Sequence, residues 1–91
     1  MGDREKEFRK LVGQAVRDLR KEHTKKSLCL FAYENDISRS TLSELEIGKN
    51  QTGIVTYKKI AEGFGWSLGE LFTRIEAKLP PNFKIFDDEH Y

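Results

Sequence analysis

Residues 35–49 read NDISRSTLSELEIGK, and the reading of this stretch decides the fold. Asn35 and Asp36 form turns readily, because both tolerate left-handed backbone and can bond their own backbone through the side chain. Ser38 is a good helix N-cap, its hydroxyl placed to accept from a free backbone amide. Leu42 and Leu45 then fall at helical spacing, with Ile37 packing just ahead of them. Gly48 closes the helix as a C-cap. That leaves Ser38, Arg39, Ser40, Thr41, Ser43 and Glu44 at or near the outward surface.

Working back from this helix, Ser27 caps a shorter one that runs through Glu34. Its apolar positions are Leu28, Phe31 and Ala32, with Cys29 and Leu30 alongside. Earlier still, Phe8, Leu11, Val12, Ala15, Val16 and Leu19 recur at spacings of three and four, the stripe of an amphipathic helix over about residues 4–23. Gly13 sits inside that helix, at a local cost of about 1 kcal/mol relative to Ala. His23-Thr24 with two following lysines suits its end, since cations favour a helix C-terminus.

Working forward, KNQTG is a polar loop, and Ile54, Tyr57, Ile60, Ala61 and Phe64 define one face of a fourth helix that ends at Gly65. Ser67 and Glu70 have the spacing of a capping box. They open a fifth helix carrying Leu68, Leu71, Phe72 and Ile75. Pro80-Pro81 stops all helix. Beyond it Phe83 and Ile85 alternate as in a short strand, which leaves three options: pairing with a symmetry mate, packing back onto the helices, or disorder. Five helices with short loops predict a compact all-α domain over residues 1–79, with the two-helix motif at about 27–47 and a C-terminal tail or arm at 80–91.

Composition excludes several classes. The chain has 91 residues, enough for one domain. Its one cysteine, Cys29, forms no internal disulfide and no cysteine-cluster zinc site, which fits a reducing cytoplasm. No apolar run reaches the roughly 18 residues needed to span a bilayer, and the charged start MGDREKEFRK is not a secretory signal. His23 and His90 have no ligand spacing with Cys29 or a carboxylate, and Asp87-Asp88-Glu89 reads as a solvated tail, so neither metal nor cofactor is expected. No nucleophile–base pair or phosphate-cradling glycine loop is present, and a non-enzyme is expected. Trp66 and Phe64 read as core rather than as base-stacking aromatics. The net charge is only +1, so overall charge does not argue for nucleic acid. Its distribution is more informative: residues 1–26 carry nine Lys or Arg against five acids, and residues 80–91 one Lys against three.

A helix-turn-helix that reads DNA needs a short helix, a tight turn and a second helix set steeply against the first. Ala32 supplies a small side chain where the two helices approach, while Ile37 and Leu42 fill the wedge between them. The major groove, about 12 Å wide, admits one helix whose leading side chains can hydrogen-bond. In this light the blocks VGQAVRDLRKE, SLCLFAYENDISRSTLSELEIGK and KKIAEGFGWSLGELF, from Val12 to Phe72, resemble the Cro-like (XRE family) helix-turn-helix domain of bacterial and phage repressors. The resemblance implies a five-helix, lambda-repressor-like domain that lays the helix from Ser38 to Ile47 in the major groove, as a homodimer on a palindromic operator in double-stranded DNA.

Carried over position by position, the resemblance implies base contacts from Arg39, Ser40 and Glu44, with Ser43 and Thr41 beside them. Arg39 is the sharpest candidate, since a guanidinium can donate twice to guanine. Ser27 and Ser38 stand at helix starts, where hydroxyl and free amides hold phosphate. Lys49, Asn50 and Gln51 lie where the family touches the backbone again, and Thr41 completes that phosphate set. Arg20 and Glu46 match a structural ion pair. Two positions depart from the pattern. Leu28 replaces a frequent phosphate-contacting Gln, and the HTKKS loop is one residue longer, so that contact is absent or supplied by Lys25 or Lys26.

The expected function is a sequence-specific transcriptional regulator, a repressor, dimerising through the fifth helix and tail. The competing readings are an antitoxin or interaction module of the same fold whose main partner is a protein (a toxin), and an adaptor whose motif has lost DNA affinity. Near-neutral charge and the apolar tail motivate the first, Leu28 and Glu44 the second.

Overall fold

The computed structural model describes residues 2–86; Asp87, Asp88, Glu89 and His90, read above as a solvated tail without metal, lie outside the described residues. Five helices follow in order: α1 (Gly2–His23), α2 (Leu28–Glu34), α3 (Arg39–Ile47), α4 (Ile54–Phe64) and α5 (Leu68–Lys78). No strand occurs among the described residues. The chain is all-α and consistent with a lambda-repressor-like fold.

The starts of α2, α3 and α5 are set by serine caps. The hydroxyls of Ser27, Ser38 and Ser67 accept from the amides of Leu30, Thr41 and Glu70, each at 3.1 Å. Each satisfies a donor that the helix geometry orphans. The capping box at Ser67 is only half made, because the Glu70 carboxylate instead accepts from Arg74 one turn on, at 2.9 and 3.0 Å. Between α2 and α3, Asp36 takes the left-handed conformation at φ 56. Asn35 Nδ2 donates to the Phe31 carbonyl, and the Ile37 amide to that of Ala32. Lys59 from α4 donates to the Asp36 carbonyl at 2.8 Å, tying the turn to the body.

Phe31, Leu42, Ile60, Leu71 and Val16, one from each helix, are the largest fully buried side chains. Around them α1 packs chiefly on α3, α2 on α3, and α4 on α5. The α1–α3 crossing is so close that a Cβ on Gly13 would lie 2.2 Å from the Leu45 carbonyl oxygen and 2.6 Å from that of Glu46. What reads locally as a weak point in α1 is therefore the site that admits the backbone of α3. Gly48 meets the same helix from the other side: at φ 74, its Cβ would fall 2.6 Å from the Cα of Lys10.

Two apolar residues assigned to inward faces are turned out. Ile54 is 58% exposed and Phe72 38%. The α4 stripe is wider than the surface that covers it, so its first turn overhangs. Phe72 meets Tyr57 edge-on, with ring centroids 5.3 Å apart. Phe64 and Trp66 stack at 4.6 Å against the core, Phe64 also meeting Phe31. Arg74 lies 4.2 Å over the Trp66 ring and His23 meets its edge at 5.1 Å. After Pro80 and Pro81 the chain turns back on α1, where Phe83 stacks on Phe8 and the Arg4 guanidinium donates to the Lys84 carbonyl at 2.6 Å.

Candidate nucleic-acid interface

One side of α3 is buried, with Leu42, Leu45 and Glu46 turned into the domain. Its opposite side faces an open hollow of about 490 Å³ lined by Leu28, Cys29, Arg39, Ser40, Ser43, Glu44, Ile47 and Lys49. Arg39, Ser40 and Glu44, expected above to contact bases, meet here with Ser43 and Lys49, while Thr41 lies outside the lining. Arg39 is exposed at the first turn, its nearest partner the Cys29 sulfur, 4.0 Å from Nη1. A guanidinium so weakly engaged is available to a stronger acceptor.

Three residues of this hollow were not singled out as contacts. Leu28 and Cys29 form the α2 wall, and Ile47 stands 60% exposed at the end of α3. Ile47 lies four residues after Ser43, hence on the same face. That spacing was the available signal, but an apolar side chain there reads as core unless the neighbouring helix is known.

Of the residues assigned to phosphate, Lys49 lines this hollow and the others lie outside its lining. Ser38 is partly committed: its hydroxyl caps Thr41 and donates to the Thr41 Oγ1 at 2.7 Å. Like any helix start, this one still has orphan amides. Ser27 stands at the start of α2. Lys26 pairs with Glu34 at 2.5 Å, while Lys25 is held at φ 59 in the loop. Asn50 and Gln51 line a second hollow with Arg9 and Tyr57, but the Asn50 amide reaches over to Glu44 Oε1 at 2.5 Å.

Arg20 and Glu46 fix this geometry from inside. They are 5% and 6% exposed. Arg20 Nε donates to Glu46 Oε2 at 2.8 Å and Nη2 to Oε1 at 2.9 Å, the two-pronged match of a guanidinium and a carboxylate. These bonds hold the Arg20 pKa above its ordinary value, against the opposing pull of burial. The third nitrogen, Nη1, donates to the Lys26 carbonyl at 2.8 Å. Thr24 completes the loop, donating to the Arg20 carbonyl and accepting from the Lys26 amide. The HTKKS loop is thus closed by a left-handed Lys25 and by Arg20.

Among the described residues, no group of His, Cys, Asp and Glu could hold a metal ion, and no helix is long and apolar enough to cross a membrane. No protein-family model matches the chain, and no solved structure matches it. A relative does. The control protein C.MunI of a Mycoplasma species is 41% identical over 66 residues, an alignment covering 72% of this chain and 89% of that protein. The alignment takes in most of both chains, and the fold and the polar α3 face agree with it. The chain therefore belongs to the control proteins, XRE-family helix-turn-helix regulators that bind DNA and control transcription and are not enzymes.

Proposed function

We propose that this control protein regulates the genes of a restriction–modification system from the cytoplasm, reading its operator with α3. The observation that carries the reading is the hollow on the outer side of α3, which collects Arg39, Ser40, Ser43, Glu44 and Lys49 while the inner side is locked to α1. Arg39 reads guanine, and the serines, with short reach, contact neighbouring base edges. Ser27, Ser38, Thr41, Lys25, Lys26, Lys49 and Gln51 serve the backbone, which fixes register without reading sequence. Residues 1–79 serve as the DNA-binding domain and 80–91 as a C-terminal tail or arm. Selection of binding sites from random duplexes tests the reading. A two-fold symmetric site with half-sites about 34 Å apart is expected. No binding to any duplex at low salt would overturn it.

Dimerisation is part of the same proposal. Ile54 and Val55 at the start of α4 and Phe72 on α5 are apolar and exposed, and Tyr57 bridges the two helices through its contact with Phe72. This face, with α5 as its centre, suits a second copy. The toxin reading finds less support, because Phe83, the first apolar residue of the tail, is taken up by Phe8 within the same chain. Sedimentation of the protein and of Phe72→Asp separates the options: dimer for the first and monomer for the second is the expected result.

A further inference from the structure

We propose that Asn50 is a positioning residue for Glu44, and that the pair reads a cytosine within the half-site; this rests on the reading that α3 enters the major groove. A carboxylate facing a groove walled by phosphates is repelled, and a free Glu side chain there turns toward the nearest cation. Glu44 has two such cations on the walls of its hollow, Arg39 and Lys49. Its carboxylate is paired with the charged end of neither. Its Oε1 accepts from the Asn50 amide at 2.5 Å, and its own carbonyl accepts from the Lys49 amide at 2.9 Å. The loop after α3 therefore grips Glu44 at both backbone and side chain.

The consequence is chemical. With Oε1 occupied, the second oxygen is left as an acceptor, and an ionised carboxylate can only accept. On the major-groove edge only cytosine N4 and adenine N6 donate. Adenine places its N7 acceptor beside that donor, where it faces the carboxylate with like polarity. Cytosine places an apolar C5 position there. The geometry selects cytosine, and it moves Asn50 from the phosphate contacts to the support of a base contact.

Binding-site selection with the full chain and with Glu44→Ala, Asn50→Ala, the double variant and Arg39→Ala tests this. Glu44→Ala and Asn50→Ala should each lose preference for cytosine at the same position, by roughly tenfold, with no further loss in the double variant. Glu44→Ala should also bind random duplex more tightly, having lost a repelled charge, while Asn50→Ala should not. If Asn50→Ala weakens binding to all duplexes alike, Asn50 is a phosphate contact and the inference fails. It fails too if base preference is unchanged in the Glu44 and Asn50 variants but shifts in Arg39→Ala. Should all three leave the selected sequence unchanged, α3 is not the reader and the underlying reading falls as well. Circular dichroism of each variant verifies that the fold is retained.

Discussion

Glu44 and Glu46 stand two residues apart on one helix and live in different worlds. Glu46 is buried against α1, both oxygens claimed by Arg20. Glu44 lies half-exposed on the opposite side, one oxygen claimed by Asn50. A helix advances about 100° per residue, so this spacing puts one carboxylate in the scaffold and the other at the surface. The lesson is that residue type says little here until the face is known.

The sharpest way to break the comparison is Glu46→Ala. It strands a buried guanidinium and should cost about 3–5 kcal/mol of stability in urea unfolding, whereas Glu44→Ala should stay within about 0.5 kcal/mol of the parent. An equal effect at both sites would erase the distinction. Gly13→Ala attacks the same inner face by steric means. Its Cβ meets backbone oxygens that cannot swing away, so a loss of about 1–3 kcal/mol or more is expected, opposite in sign to the helix-propensity gain. Thermal unfolding measures it.

On the outer face, Arg39→Ala should leave unfolding unchanged and remove about 1–3 kcal/mol of discrimination at one base pair per half-site. Competition binding with single-base operator variants measures this. A uniform loss over all sequences would mean that Arg39 contacts only phosphate. Lys49→Ala is the smallest of these changes: the salt dependence of binding should drop by about one unit of slope per protomer, with base preference intact.

Much of the fold was legible because its signals are local. Ser27, Ser38 and Ser67 mark helix starts through a hydroxyl three residues from its target amide. Gly48 and Gly65 mark ends because each takes a left-handed conformation. What stayed hidden depends on a neighbour distant in sequence. Gly13 reads as a cost until the Leu45 and Glu46 carbonyls lie against it. Ile54 and Phe72 read as core until α4 and α5 prove too narrow to cover them. On the candidate interface the polar side of α3 was readable from periodicity, and the Arg20 and Glu46 pairing from family resemblance. The bond from Asn50 to Glu44 was not, since a loop side chain has no period to betray its direction.

Arg20 holds Glu46 of α3 with two nitrogens and the Lys26 carbonyl, just ahead of Ser27, with the third. The start of α2 and the exposed edge of α3 are therefore set at a fixed separation, as by a gauge block. A phosphate resting at Ser27 and a base met by Arg39 would have to match that separation. If α3 is the reader, DNA whose groove is too wide or too narrow would have to deform to fit, and the sequence-dependent stiffness of the duplex would then enter recognition through Arg20, a buried residue.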